Sequence, residues 1–414
     1  MLDLSFIFEH PLLAWMFAEG NLNDGSPSGF GITHNILQAY RPDADTFKLP
    51  VCQLLKPEDA IRIGVHLSEP EGSQPRPAPV PIYIHPQFFD SLWQHSVLRQ
   101  SSVRYVTAKA SSSVRTAWIL EDGMPQSFVK MHFPEIIGRF RRDLKLYGWL
   151  ASIENSKVIS SAISASRPHA PSGFALLRET GGTFVEGDGV IEGFGHIERE
   201  LTPYPRRADQ NRAALIPFFS LSAGAMSQGH DRTLLTKIIV EMGATYDQVI
   251  SSLIVPLLEG YEYCALQIGL IPECNAQNLL WEVDSSLRAC RVVHRDLMGF
   301  FKDLDTGLVK DTDSSPLISY HSIGRNLYSD TKLRRSFAFD FKLAKYTLDP
   351  LVELLAAHFA KSPISVQADV RDIARQSIPW PDDYFPDDQL AYGYPNEERV
   401  NRGGYVSIGA PRYR

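Results

Sequence analysis

The chain has 414 residues, enough for one large multi-lobed domain or two or three packed subdomains. With 44% hydrophobic and 21% charged residues it has the make-up of a globular protein with a sizeable core. The formal net charge is −7 with Lys and Arg scattered, which argues against nucleic acid as the main partner.

Four cysteines (Cys52, Cys264, Cys274 and Cys290) lie far apart, with no C-x-x-C pair and no His at zinc spacing. They point to reduced thiols in a cytoplasm rather than a disulfide framework or a zinc knuckle. The apolar N-terminus is interrupted by Asp3 and Glu9 and lacks a basic n-region, so no signal peptide is expected. No apolar run reaches the ~18 residues of a membrane span. A cytoplasmic protein without membrane partners is the expectation.

In chain order, residues 1–66 mix short apolar runs with turn signals at Gly20, Gly25, Gly29 and Gly31, and Leu67–Val80 reads as a Pro-rich exposed connector. Pro81–Gln87 has the pattern of a buried strand ending at a turn, because the residue before Pro86 is pushed out of the helical region. Ser101–Leu120 and Phe128–Phe133, joined at Asp122-Gly123, read as a β-hairpin with Ser113, Arg115 and Thr116 on one side and Lys130 on the other.

Ile136–Trp149, carrying Arg139, Arg141, Arg142 and Lys145, reads as a basic helix. Residues 173–200 are strand-like, and Gly187-Asp188-Gly189 and Gly193-Phe194-Gly195 suit hairpin turns better than a phosphate loop, since no G-x-G-x-x-G opens a helix there. Tyr246–Ile268 has helical periodicity, with Gly269 as its C-cap and a kink expected at Pro256. Leu279–Trp281 and Ala289–Val293 read as a strand pair around Asp284-Ser285-Ser286. Leu327–Leu355 reads as helical with a break near Pro350, and the segment from Trp380 as an arm rather than a core element.

The chemistry concentrates in Glu273-Cys274-Asn275-Ala276-Gln277-Asn278 and the following Arg295-Asp296. Cys274, the only conceivable nucleophile there, has no basic neighbour in sequence. His294-Arg295-Asp296-Leu297 copies a protein-kinase string, but Phe301 occupies the required Asn position and no D-F-G follows. No G-x-S-x-G exists for a Ser hydrolase. His85, at a strand end, is balanced between a structural role and lining a cleft.

The remaining combination is a polyphosphate site. Arg115 and Lys130, with Ser113 and Thr116 hydroxyls, can grip phosphates, while Glu273 and Asp296 can hold Mg²⁺, a hard cation that takes oxygen ligands. Opposite unit charges ~4 Å apart attract by ~4 kcal/mol at an effective dielectric near 20. Several cations converging in one cleft therefore outweigh solvated surface charges.

The same residues, in order, resemble the motifs of the NRPS-independent siderophore synthetases, the aerobactin-synthetase-like family. Pro81–Gln87 resembles its I-P-x-H-P-W-Q, Ser113–Thr116 its S-x-R-T, Val129-Lys130 the following strand, and Ile137–Arg142 its I-T-x-x-x-R. Arg199-Glu200 resembles its R-E, Glu273–Asn278 its E-x-H-G-Q-N and Arg295-Asp296 its R-D. The likeness runs from about residue 80 to 300.

It implies an α+β thumb–fingers–palm fold, with mixed and antiparallel sheets and a helical C-terminal half. The divisions would be a reduced thumb at 1–80, ATP-binding fingers at 81–205, a palm at 206–379 and a tail at 380–414. The implied reaction uses ATP and Mg²⁺ to adenylate a carboxylic acid, citrate-like or another, before an amine or hydroxyl condenses with it; the family is commonly homodimeric. By position, Ser113, Arg115, Thr116, Lys130, Gln277 and Asn278 would hold the nucleotide, and Glu273 and Asp296 the metal. Arg142, Asn275 and His85 would meet the acid, with Arg115, Lys130, Arg142 and Asn275 as the catalytic set.

Two departures matter. Asn275 and Ala276 replace the family's His and Gly, and a neutral amide donates ~0.5–1.5 kcal/mol where a charged imidazole donates ~1.5–3. His10-Pro11 lacks the downstream Lys of the family's early motif, and the chain is shorter at its start. These favour another acyl substrate or, alternatively, a catalytically degenerate relative that binds a ligand or a partner.

Overall fold

Why these residues form two layers is visible in the strand pattern of the computed structural model. It describes residues 3–23, 36–56, 60–64, 80–137, 140–207, 213–224, 229–310, 331–386, 391–393, 405–407 and 409–414. Most of the Pro-rich connector, Gly25, Gly29, Gly31 and Arg139 lie outside them.

The strands in chain order are β1 (Phe47–Leu54), β2 (Ile61–Gly64), β3 (Val80–Tyr83), β4 (Ser102–Ala110), β5 (Thr116–Glu121), β6 (Met124–Met131), β7 (Phe133–Ile137) and β8 (Phe140–Arg142). There follow β9 (Phe174–Leu176), β10 (Glu179–Val185), β11 (Phe194–Arg199), β12 (Ala213–Pro217), β13 (Leu270–Ile271), β14 (Leu279–Asp284), β15 (Arg291–His294) and β16 (Phe301–Lys302). Eight strands make one antiparallel sheet in the order β2-β10-β11-β6-β5-β4-β1-β3. Four make a mixed sheet, β12-β14-β15-β9, in which only β15 and β9 run parallel. The expected hairpins β5–β6 and β14–β15 are both present, and Thr116 sits opposite Lys130.

The basic helix expected at 136–149 does not form. Phe133–Ile137 and Phe140–Arg142 pair as the antiparallel strands β7 and β8, and the helix begins only at Leu146 and runs to Ala165. The β-branched Ile136 and Ile137 favour the pleated surface, whereas the spaced cations had suggested a helical face. The helix itself escapes periodicity analysis because its buried face carries Ser152, Asn155, Ser156 and Ser160 among Trp149, Ile153 and Ile159.

Tyr246–Ile268 is helical as expected, and Gly269 caps it at φ 82°. Ahead of Pro256 the helix widens, the Val255 N–H bonding Ile250 five residues back. Ahead of Pro350 the Asp349 N–H likewise bonds Ala344, so the helix continues through to His358 and the expected break is absent. Proline lacks an N–H and crowds the preceding turn; a widened turn accommodates both effects. Tyr246–Ile268 is long and apolar enough to cross a membrane, but 72% of its most apolar window is buried in the protein, where Leu253, Leu257 and Tyr261 pack in the main core.

Into that core also go Ile7, Ala14 and Ala18 from the N-terminal helices and Tyr384, Phe385 and Tyr413 from the segment expected to be an arm. The last residues are anchored: Tyr413 donates to Asp349 at 2.8 Å and Arg414 to Asp340 at 3.0 Å. Buried aromatic surface, with these charged contacts around it, makes this end a core element.

Candidate functional site

The loop between β4 and β5 is a tight turn. Ser111 N–H donates to the Thr116 carbonyl at 2.8 Å, Arg115 N–H to Ser113 at 2.7 Å, and the Ser113 and Thr116 hydroxyls bond each other at 2.8 Å. Val114 takes φ 64°, an uncommon conformation for a β-branched residue, and is held there by burial against Ile36, Phe133 and Ile137. The turn drives Arg115 inward, 5% exposed, beside Lys130 at 1%. Arg115 Nη1 donates to the Arg142 carbonyl at 2.8 Å, and among the described residues no carboxylate stands within ion-pair distance of it.

The second half comes from the mixed sheet. Asp296, just past β15, adopts φ 62°, which Asp tolerates better than most residues, and its carboxylate meets Lys130 Nζ in a close ion pair. Arg199, at the end of β11, stands 3.9 Å from Asp296 and donates to Glu179 at 2.6 Å. Glu179 also accepts from Ser152 and, at 3.1 Å, from the Leu297 N–H. The hairpins expected to enclose the site therefore meet, and three buried cations converge on one carboxylate.

Protonation follows from this geometry. Burial lowers the Lys130 ammonium to about 8, with Asp296 opposing and Arg115 reinforcing the shift. Burial, then the charge of Arg142, lowers Arg115 to about 10. Burial alone would raise the Asp296 carboxyl, but Lys130, Arg199 and Arg115 outweigh it and hold Asp296 well below the usual carboxylate range.

Glu273 pairs with Lys342 at 2.6 Å and accepts from Asn278 Nδ2 at 3.3 Å. It packs against the turn after Asp296 so closely that a Cβ on Gly299 would lie 2.7 Å from its carboxylate. Glu273 and Asp296 are thus each matched with a lysine, and no group of three or more His, Cys, Asp or Glu placed to hold a metal occurs among the described residues. Asn275 Oδ1 accepts from the Gln277 N–H at 3.0 Å, so its carbonyl end caps a turn. Gln277 Nε2 donates to Ser112 Oγ at 2.6 Å. Arg142 is half-buried, its Nε 3.3 Å from the Ile137 carbonyl within the β7–β8 hairpin.

His85 is fully buried rather than at a cleft wall. Its ring lies edge-on to Phe133 at 4.7 Å and Tyr40 at 5.3 Å, its Nδ1 accepts from the Gln87 N–H, and burial lowers it to about 3. Cys274 does have a His neighbour in space: His294 Nδ1 is 3.8 Å from its sulfur. Burial keeps that thiol far above its ordinary range and lowers His294 to about 3, so neither forms the charged pair a nucleophilic cysteine needs.

Sequence reasoning missed Glu19, Glu179 and Lys342. Glu19, 0% exposed on the helix Pro11–Asn21, accepts from Ser112 Oγ at 2.5 Å, Ser112 N–H at 3.2 Å, Trp15 Nε1 at 3.1 Å and the Arg295 guanidinium. A lone acidic residue in an amphipathic helix carries no local signal for such a role.

No protein-family model and no curated protein matches the sequence. Among solved structures, ATP-bound aerobactin synthetase IucA from a hypervirulent pathotype of Klebsiella pneumoniae superposes with TM-score 0.68 at 14% identity, over 99% of this chain and 80% of that one. Aerobactin synthetase IucC from the same pathotype gives TM-score 0.63 at 14% identity over 84% and 67%. Petrobactin biosynthesis protein AsbB from Bacillus anthracis str. Sterne gives 0.59 at 16% over 80% and 60%. The architecture built by these two facing hairpins and the helical half behind them is the fold of the NRPS-independent siderophore synthetases.

Proposed function

We propose that the chain is an ATP- and Mg²⁺-dependent synthetase that adenylates a carboxylic acid and joins it to an amine or hydroxyl. The observation that carries this reading is Arg115, a buried cation with no carboxylate within ion-pair distance among the described residues, next to Lys130 and Arg199, which face Asp296 and Glu179. A buried uncompensated charge is costly, and an anionic ligand relieves that cost. The donor set fits phosphate oxygens: two guanidinium groups, an ammonium, and the Ser113 and Thr116 hydroxyls.

In this reading Arg115 and Lys130, with Ser113 and Thr116, orient the triphosphate, and Gln277 and Asn278 border it. Glu273 and Asp296 are oxygen donors of the kind Mg²⁺ takes, each now paired with a lysine that phosphate oxygens can engage instead. Bound Mg²⁺ supplies charge neutralisation at those oxygens. An acid carboxylate attacks the α-phosphorus and pyrophosphate leaves; an amine or hydroxyl then attacks the acyl carbon and AMP leaves. The protein's part is positioning and charge stabilisation, in keeping with the inert Cys274. Arg142 and Asn275 are the proposed contacts to the acid. Thumb, fingers, palm and tail at 1–80, 81–205, 206–379 and 380–414 remain the working division, in a cytoplasmic and commonly dimeric protein.

The test is pyrophosphate release from Mg·ATP across a panel of carboxylic acids, with hydroxylamine as a generic acceptor. Release that depends on an added acid supports the reading; ADP and orthophosphate instead defeat adenylation. A second reading, a catalytically degenerate ligand- or partner-binding protein, is favoured by Asn275, whose carbonyl oxygen caps a turn where the family has His. Mg·ATP binding without pyrophosphate release under any acid would select it.

A further inference from the structure

Glu19, Ser112, Gln277 and Arg295 close a hydrogen-bonded ring, Gln277 taking part through both its side-chain amide and its main-chain carbonyl. Ser112 Oγ donates to Glu19 at 2.5 Å, Gln277 Nε2 donates to Ser112 Oγ at 2.6 Å, and Arg295 Nε donates to the Gln277 carbonyl at 2.8 Å. The Arg295 Nη1 then returns to the other oxygen of Glu19. Polarity is consistent throughout: the serine hydroxyl gives one bond and takes one, and each carboxylate oxygen has its own donor. Trp15 from the same helix adds a further bond to Glu19 at 3.1 Å.

The members come from three distant parts of the chain, Gln277 and Arg295 flanking the β14–β15 hairpin. Ser112 lies in the turn that aims Arg115, Gln277 follows Glu273, and Arg295 precedes Asp296. Glu19 belongs to the helix Pro11–Asn21, which packs against β12 and supplies core residues Ala14 and Ala18. The two hairpins also meet directly, through Gln277 and Ser112, and the Glu19 carboxylate bonds both Ser112 and Arg295. Glu19 and Arg295 are both essentially excluded from solvent, at 0% and 3% exposure. Their pairing is therefore directional rather than a diffuse surface attraction.

We infer that Glu19 is a positioning residue: it holds the Ser111–Arg115 turn and the 277–296 segment at the separation at which Arg115, Lys130 and Asp296 form one anion site. This rests on the nucleotide reading proposed above. Glu19 itself touches no substrate. Its loss leaves the cations in place along the chain and the Gln277–Ser112 and Lys130–Asp296 contacts between the walls, but removes the anchor that fixes their separation, so ligand affinity falls out of proportion to stability.

The experiment is calorimetric titration of Mg·ATP into the full chain, for the wild type, Glu19→Gln, Ser112→Ala and the control Leu354→Ala in the helical core. Glu19→Gln is isosteric and removes the charge that Arg295 needs; it is expected to weaken Mg·ATP about tenfold or more. Ser112→Ala removes the hydroxyl's two ring bonds, to Glu19 and from Gln277, without stranding a charge, and is expected to weaken binding in the same direction, which keeps the test open if Glu19→Gln fails to fold. Leu354→Ala is expected to lower the melting temperature yet keep wild-type affinity. Wild-type affinity in both ring variants overturns the inference, as does an equal loss of affinity in Leu354→Ala. A wild type that does not bind Mg·ATP overturns the nucleotide reading itself, and the positioning role with it.

Discussion

Lys130 and Asp296, 166 residues apart in the chain, form an ion pair across the junction of the two sheets, the lysine buried and the carboxylate half-buried. Arg199 approaches the same carboxylate at 3.9 Å, while the Arg115 guanidinium beside them donates to the Arg142 carbonyl and, among the described residues, has no carboxylate within ion-pair distance. Positive charge is in excess around this carboxylate.

Mg·ATP is therefore expected to raise the melting temperature of the wild type, and Lys130→Ala or Arg115→Ala to abolish that rise. Thermal-shift measurements at saturating Mg·ATP check this. Wild-type melting that does not respond to the nucleotide would remove the site altogether.

Nucleotide affinity should also depend on pH in a defined direction. With Lys130 lowered to about 8, raising the pH through that value neutralises the ammonium, and a neutral amine no longer attracts phosphate. Affinity is expected to fall as pH rises through about 8, and Lys130→Arg, whose guanidinium stays charged, to flatten the profile. The stability contribution runs the other way. Between about 8 and the ordinary lysine value near ~10.4 the unfolded chain binds more protons, so folding gains stability as pH rises there.

Glu179 gathers Arg199, Ser152 and the Leu297 N–H in a site with 0% exposure. Glu179→Ala removes the nearer carboxylate of Arg199, leaving Asp296 at 3.9 Å, and should cost ~3 kcal/mol of unfolding free energy. Glu192→Ala, which removes only the exposed partner of Arg141, should cost at most ~1 kcal/mol. Urea denaturation of the two variants side by side decides the comparison; similar losses would contradict the assigned environments.

Cys274 is expected to resist iodoacetamide in the native protein and to react only after denaturation, since its thiol is buried and held protonated. Cys274→Ala should retain pyrophosphate release within a few-fold, measured at matched folded fraction. Rapid native labelling, or loss of turnover in a folded Cys274→Ala protein, would reinstate a covalent route.

Local signals made much of this legible. The turn residues Asp122-Gly123 and the alternation around them predicted β5–β6, and apolar periodicity with Gly269 predicted Tyr246–Ile268. Where local and tertiary preferences diverged, the reading failed. Spaced arginines at 139–142 looked helical, but the hairpin there answers to the packing of Phe133 and Ile137 against Val114. The helix Leu146–Ala165 was overlooked because serines and Asn155 face the interior, where Glu179, Leu297 and Phe300 supply their partners.

By itself, then, the sequence determined the order of elements, the chemical types available, and which stretches carry them, because propensity, turn geometry and periodicity act over a few residues. Only the tertiary structure decided that Glu19 joins Ser112 to Arg295, that Glu273 belongs with Lys342, that His294 lies against Cys274, and that His85 is walled in by aromatic rings. Pairings of that kind depend on where distant segments come to rest, and burial then sets their charge states; neither quantity is encoded at the spacing of a motif.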